Sequence, residues 1–276
     1  MALLLQPASR EALAEAQTRL DAIIDGASAT ELERIGDDLF GVLRLLLTEI
    51  PLRRSLSDPA VAGAARSGLA DQLLNGKISR GALDVVSELV AARWSQSSDL
   101  VAALESLARQ ATLAVAEKNG ALEEVEDELF RFGRILDREP QLNSLLSDGS
   151  TPAGERVQLL DTVLGTKVTP VTKALLGQTV RTPRGRSIDL AAEELSELAS
   201  ARRDRFVAHV STPVRLTAEQ EQRLADSLSR IYGRAISLQV ELDPDLLGGL
   251  VVRVGGELID GSIAGKLAAA RRRLPS

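Results

Sequence analysis

Few residues of this chain have the types and spacing that catalysis or metal binding requires. The 276 residues include one histidine, His209, and no cysteine. Cysteine nucleophiles, thiolate metal sites and disulfides are therefore excluded, and the lack of cysteine is typical of a reducing compartment. Most histidine-based sites need more than one such side chain, so we expect His209 to be a solvated or rim residue in a strand, with a proton carrier as the alternative.

Two further patterns could carry chemistry. The acidic pairs Glu123-Glu124 and Glu193-Glu194 could act as acid–base dyads, but adjacent helical residues do not face each other, which favours a solvated face. Glycines stand at positions 248, 249, 255, 256 and 261. They do not open a helix after a strand, and no Gly-Lys-Ser/Thr follows them. We therefore expect turns and close backbone packing here, and no bound nucleotide, metal or other cofactor.

Some residues have the types that partner binding uses. Trp94 could anchor an interface, with local packing as the alternative. A group of arginines could contact an anionic partner, with a solvated corner between helices as the alternative; it consists of Arg181, Arg184, Arg186, Arg202, Arg203 and Arg205.

Composition favours a helical protein that binds other proteins. Hydrophobic residues make up 44% and aromatic residues 2%, so Leu, Ala and Val must form the core, and Ala and Leu favour helices. The net charge of −6 argues against a nucleic-acid scaffold. No stretch approaches the roughly 18 apolar residues of a membrane span, and residues 1–7 do not resemble a signal peptide. We expect a cytosolic chain that meets a membrane only through partners.

The sequence repeats itself after 90 residues. Between residues 32 and 60, 12 of 29 positions are identical to the residue 90 positions later, from Leu32 and Leu122 to Asp58 and Asp148. About two identities would be expected from composition. The match runs through loops as well as helices, so we interpret it as a tandem duplication of one helical unit.

Each copy carries helix signals. Thr30 and Glu33 form a capping-box pattern, and Asp58-Pro59 is typical of a helix start. We expect further helices to begin at Ser79, Ser98, Thr151-Pro152 and Ser187, and helices to end at Asn75-Gly76 and Gly165. The stretch 99–119 is Ala-rich without Pro or Gly and is predicted to be a helix. Each copy is thus a bundle of five or six helices.

The hydrophobic period changes to two near residue 206. Strands are predicted from Phe206, Ile236, Leu250 and Glu257, with a helix after Thr217 and a two-residue turn at Gly255-Gly256. A last helix should begin at Ser262. The predicted class is mainly α, with two tandem helical-bundle domains, 1–111 and 112–205, and a small α/β domain, 206–276.

Residues 243–274 resemble the C-terminal signature of the ATP synthase delta subunit and oligomycin-sensitivity-conferring protein family. The signature is carried by Asp243, Pro244, Leu247, Gly248, Gly249, Asp260, Gly261, Ser262 and Lys266. Residues 122–205 resemble the six-helix domain of this family, and the likeness covers about 112–276. Typical members have one helical copy, so copy 1–111 is a departure similar to that of actinobacterial members.

The resemblance implies a non-catalytic stator subunit of the proton-translocating ATP synthase, at the cytoplasmic face of the membrane and present once per complex. Residues 112–205 would bind an N-terminal helix of the alpha subunit of the alpha/beta head, and residues 206–276 would bind a membrane-anchored b-type subunit. No anchor is found in the chain, so we expect b to be a separate protein and this chain to be monomeric when isolated. The alternative is a free-standing helical adaptor or ligand-binding protein.

Overall fold

The computed structural model describes residues 6–204, 207–232, 236–244, 246–254 and 257–263. They fall into two compact units, of which the first ends at Ala199 and the second begins at Ser200. Helices dominate the described residues, and a four-stranded sheet lies near the C-terminal end. This confirms the predicted fold class.

Eleven helices form the described part of the chain before the sheet. Proline at the start of α3, α8 and α10 fits the first turn, where its missing N–H is not needed. The helices are α1 (Pro7–Gly26), α2 (Ala29–Thr48), α3 (Ile50–Ser57), α4 (Gly63–Leu74), α5 (Arg80–Ala91), α6 (Ser97–Lys118), α7 (Leu122–Arg138), α8 (Pro140–Ser147), α9 (Ala153–Leu164), α10 (Pro170–Arg181) and α11 (Ile188–Asp204).

The repeat extends to the helices themselves. Helix α4 begins at Gly63 and α9 begins 90 residues later, at Ala153; both have 12 residues. Helix α6 begins at Ser97, 90 residues after the start of α1 at Pro7. A pattern of six helices therefore runs from α1 to α6 and again from α6 to α11, and α6 belongs to both copies.

Helix α6 lies in the core that the two copies share. Every residue from Leu107 to Ala116 is buried, and one hydrophobic cluster contains side chains from Ala12 to Ala199. A helix buried on all sides has no polar face for solvent. The predicted boundary between residues 111 and 112 falls inside this helix, and the division into two helical domains stays a prediction.

Corresponding hydrogen bonds stabilise both copies. The Asp38 carboxylate accepts the backbone N–H of Ser79 at 2.7 Å, before α5. The Glu128 carboxylate, 90 residues later, accepts the N–H of Thr169 at 2.8 Å, before α10. Each bond satisfies a backbone donor at a helix start, so the duplication preserved the contact as well as the helices.

Several predicted helix starts were wrong. The capping box of α2 is formed by Ser28 and Glu31 rather than by Thr30 and Glu33. Asp58 follows α3, and its carboxylate accepts the N–H of Ala60 at 2.9 Å. Such a bond closes a turn, and α4 begins only at Gly63. Helix α6 begins at Ser97, one residue before the predicted cap Ser98.

The second unit contains a mixed sheet with the order β2-β1-β3-β4. Strand β1 pairs in parallel with β2 and antiparallel with β3, which pairs antiparallel with β4. Helix α12 connects β1 and β2 and begins after Thr217, as predicted, with a capping box of Thr217 and Gln220. The elements are β1 (Val207–Thr212), α12 (Ala218–Tyr232), β2 (Ser237–Leu242), β3 (Val251–Val254) and β4 (Glu257–Asp260).

Alternation along β1 positions the small core of this unit. Ala208 and Val210 are buried with Val252, Val254 and Leu228, whereas His209 between them is exposed, as predicted. Strand β3 ends and strand β4 begins at the paired positions Val254 and Glu257. The predicted turn at Gly255-Gly256, and the predicted last helix beyond residue 263, lie outside the described residues.

Candidate functional site

The C-terminal glycines form a close backbone contact. The register of β3 and β4 pairs Val251 with Asp260. Beyond these strands, Gly261 N–H donates to the Leu250 carbonyl at 2.9 Å, and Ile263 N–H donates to the Gly248 carbonyl at 3.0 Å. The Leu-Gly-Gly and Asp-Gly-Ser segments of the signature therefore continue the antiparallel ladder against each other.

Glycine is required at the centre of this contact. Gly249 has φ +84°, and a Cβ there would lie 2.5 Å from the Gly261 carbonyl oxygen and 2.9 Å from Ser262 Cα. Side chains rarely adopt that backbone conformation, and no real Cβ contact is so short. The predicted close backbone packing accounts for this glycine.

Polar members of the signature shape the turns on either side. The Asp260 carboxylate accepts the N–H of Ser262 at 2.9 Å, and hydrogen bonds from the Ser262 side chain and backbone hold the pKa of Asp260 below its usual value. Asp243 N–H donates to the Thr212 carbonyl at 2.9 Å. Pro244 is exposed in the turn that follows. Lys266 lies outside the described residues.

Leu247 has no packing role of this kind. Its side chain is 83% exposed, although it belongs to the same signature. On β4, which pairs with β3 at one end of the sheet order, Leu258 and Ile259 are also exposed. Together they give this unit apolar surface at positions where the described residues supply little cover.

Two of the predicted partner-contact arginines bind a buried glutamate. Arg184 and Arg186, in the loop after α10, both contact the Glu105 carboxylate of α6. Arg109 donates to Glu105 at 2.6 Å, and Glu194 accepts from Arg186 at 2.8 Å. The left-handed backbone of Arg184, with φ +54°, is unusual for a side chain other than glycine. We call this group, Glu105 with Arg109, Arg184, Arg186 and Glu194, the Glu105 cluster.

Charge pairing in the Glu105 cluster outweighs burial. Burial raises the pKa of Glu105, but the positive charges of Arg109, Arg186 and Arg184 together lower it by more than burial raises it. The net shift of the Glu105 pKa is therefore downward. Burial lowers the pKa of Arg109, against the opposing effect of Glu105. The cluster is thus a satisfied ionic contact inside the helical unit. Glu194, a member of the acidic pair considered in the sequence, is joined here to Arg186, 8 positions away, and to Arg109, 85 positions away.

The other predicted contacts are placed differently. Arg181 is exposed at the end of α10. Burial, together with the positive charge of Arg181, lowers the pKa of Arg44. Trp94 is only 4% exposed, and its indole N–H donates to the Leu89 carbonyl at 2.7 Å. Local packing, the alternative stated for Trp94, therefore describes its position. Of the remaining arginines, Arg202 is buried and Arg203 is half-buried, and Arg205 lies outside the described residues.

A surface that the sequence did not indicate lies between α7 and α11. A groove of about 300 Å³ is lined there by residues that include Phe130, Arg134 and Leu190. Phe130 is 58% exposed and Leu190 is 54% exposed. Each lies next to a buried residue of its helix, Leu129 or Ala191, and periodicity alone does not separate them from core residues.

The described part of the chain contains no helix long and apolar enough to cross a membrane.

Similarity to known proteins extends over nearly the whole chain. The family described as ATP synthase delta (OSCP) subunit matches residues 109–274. A protein of Streptomyces avermitilis named ATP synthase subunit delta is 47% identical over 269 residues, which cover 98% of each chain. A protein of Parafrankia sp. with the same name is 47% identical over 277 residues, covering 98% of this chain and 99% of its own.

A longer type of relative also matches. A Mycobacterium sp. protein named ATP synthase subunit b-delta is 47% identical over 271 residues, and the match covers 98% of this chain but 61% of that protein. The first helical copy is therefore shared with these relatives, since the matches reach well before residue 109, where the family match begins. On these grounds the chain belongs to the ATP synthase delta (OSCP) subunit family.

Proposed function

We propose that this chain is a non-catalytic connector in the stator of a proton-translocating ATP synthase, at the cytoplasmic face of the membrane. The main support is the similarity of this chain, over 98% of both chains, to a protein named ATP synthase subunit delta. In a rotary machine the catalytic head would turn with the rotor unless it were held. A connector of this kind must bind two partners at once and release both slowly.

The second helical copy, 112–205, binds an N-terminal amphipathic helix of the alpha subunit in this proposal. Apolar grooves between helices are suited to amphipathic helices. Exposed apolar side chains on α7, α8 and α11, such as Phe130, Leu145 and Leu190, support a protein-binding role for this copy. Slow dissociation, which such contacts can supply, is what resistance to torque requires.

The C-terminal domain, 206–276, binds the b-type subunit. Support comes from the exposed side chains Leu247 and Leu258, which are large apolar groups on a unit with a small core. The backbone hydrogen bond from Ile263 to Gly248 fixes the segment next to Leu247. The signature thus combines a fixed backbone with an exposed apolar side chain.

The first helical copy, 1–111, contributes a further contact along the stalk or on the head. The support is its shared core with the second copy through α6, which makes it a rigid extension of that copy. One chain per complex is sufficient for this arrangement, and the isolated chain is a monomer.

Membrane pull-down and binding of isolated parts test the proposal. A tagged full chain should recover alpha, beta, gamma and b-type subunits from membranes of the source organism. In purified form it should bind a synthetic alpha N-terminal segment and the soluble part of the b-type subunit independently. A Leu247→Ser variant should lose b binding and keep alpha binding, and Ile50→Ser, another exposed apolar position, should keep both. Recovery of unrelated soluble proteins instead would support the free-standing adaptor.

A further inference from the structure

The groove between α7 and α11 corresponds, through the repeat, to a surface that is closed in the first copy. Phe130 of α7 is equivalent to Phe40 of α2, and Leu190 of α11 is equivalent to Leu100 of α6, each 90 residues apart. Phe40 is 4% exposed and Leu100 is 1% exposed, against 58% and 54% for their counterparts. The same face is therefore buried in one copy and open in the other.

The second copy contacts the first beside this face. Arg44, one helical turn after Phe40, donates to the Gln178 side chain of α10 at 2.7 Å. Its counterpart Arg134 pairs instead with Asp137 of its own helix, at 3.4 Å. The arginine at this position therefore bonds to the next copy in the first repeat and to its own helix in the second.

The open face differs from the buried one in charge. Glu193 and Glu197 line the groove, and their counterparts in the first copy are Ala103 and Leu107, both fully buried. With Asp137 and Asp189, four acidic residues line the groove against one basic residue, Arg134. An apolar floor with charged edges is typical of a surface that meets a separate partner, since such interfaces have polar rims.

We propose that the α7–α11 groove docks a basic amphipathic helix of another polypeptide, in the place that the second copy takes against α2 and α6. Large apolar side chains of that helix would pack against Phe130 and Leu190, and lysine or arginine residues at its edges would face Glu193 and Glu197. A groove of about 300 Å³ accommodates a few such side chains, which makes a helix a better fit than a flat surface. The proposal goes beyond the proposed function, which names exposed side chains on α7, α8 and α11 but assigns neither a groove nor a charge to the helix that binds there.

A designed peptide tests this on the purified full chain. The probe is a synthetic helix of about 15 residues with leucines on one face and lysines at both edges, and its control carries glutamates in place of the lysines. We expect the lysine peptide to bind at least about tenfold more tightly than the glutamate peptide. Phe130→Ser should weaken binding of the lysine peptide by at least about tenfold. Glu193→Lys should also weaken its binding and should reduce the difference in affinity between the two peptides.

A matched variant separates the groove from general stickiness. Leu145 in α8 is 55% exposed and does not line the groove, so Leu145→Ser should leave binding unchanged. Circular dichroism should show that all three variants stay folded, because each position is exposed. Equal binding of the two peptides, or equal loss in Phe130→Ser and Leu145→Ser, would overturn the proposal. So would a concentration-dependent dimer of the chain that Phe130→Ser abolishes, since the occupant would then be a second copy.

Discussion

Gly249 lies against Gly261 so closely that a Cβ on Gly249 would come within 2.5 Å of the Gly261 carbonyl oxygen. The two glycines belong to different halves of the family signature, 12 residues apart. Backbone hydrogen bonds from Gly261 to Leu250 and from Ile263 to Gly248 hold the halves together. The signature is therefore a structural device that fixes the C-terminal sheet and the loop that carries Leu247.

Gly249→Ala should destabilise the C-terminal unit. The added methyl group meets backbone atoms that cannot move aside, and the φ of +84° is unfavourable for alanine. We expect a loss of at least about 2 kcal/mol. Hydrogen exchange of residues 207–263, followed by mass spectrometry, would detect it as faster exchange.

Gly177→Ala is the matched control for this substitution. Gly177 lies in α10, and nothing lies within 4 Å of a Cβ placed there. Alanine favours a helix over glycine by about 1 kcal/mol, so this variant should be as stable as the parent or more so. Unchanged exchange in Gly249→Ala would contradict the close packing described here.

Glu105→Gln should destabilise the helical unit by about 3 kcal/mol, because removing one partner leaves buried charge uncompensated. The Arg109 side chain is 9% exposed, and Glu194 at 3.5 Å would be its remaining acidic partner. Urea unfolding followed by Trp94 fluorescence gives the free energy of unfolding. Asp84→Asn, which removes a more exposed pair with Arg19, should cost less than about 1 kcal/mol.

The stability that Glu105 contributes should depend on pH. Its pKa in the folded state lies below the ordinary value of 4.5, so the folded state binds this proton more weakly than the unfolded state. The contribution is then complete above that ordinary value and is lost as pH falls through the folded pKa. The difference in unfolding free energy between the parent and Glu105→Gln should be constant from neutral pH to about pH 5.5 and shrink at lower pH. A difference that grew with acid would contradict the assignment.

Asp38→Ala and Glu128→Ala should both destabilise the chain, Glu128→Ala somewhat more because its carboxylate also accepts the Thr169 hydroxyl at 2.8 Å. Each removes the acceptor for the N–H at the start of a helix, at Ser79 or at Thr169. A lost bond between a carboxylate and a helix-start N–H costs about 1–2 kcal/mol. Thermal unfolding would measure the loss of stability in both variants. Glu33 is exposed, so the control Glu33→Ala should change the stability by close to zero. Losses that differed several-fold would mean that the two copies are not energetically equivalent.

The local patterns predicted most of the architecture. The change of period near residue 206 gave all four strands to within one residue of their starts, because alternation follows directly from strand geometry. The capping box was misplaced because Ser28-Glu31 and Thr30-Glu33 have the same spacing, and only the three-dimensional packing of α2 selects the first. Asp58 favours a turn as much as a helix start, and the structure uses the turn.

Features that depend on contacts between distant residues could not be predicted from local sequence patterns. The sharing of α6 was not visible because only Ala12, Glu15 and Arg19 of α1 recur 90 residues later in α6. The Glu105 cluster joins residues up to 89 positions apart, and no spacing rule connects them. Phe130 repeats Phe40 in sequence but not in burial, since burial depends on what packs beside each copy.

Cross-linking of the intact ATP synthase, with identification of the linked peptides by mass spectrometry, tests the connector role most directly. The proposed function predicts links from residues 112–199 to the N-terminal segment of an alpha subunit, and from residues 207–263 to a b-type subunit, within the same complex. Links to only one of these partners, or to the rotor alone, would contradict it.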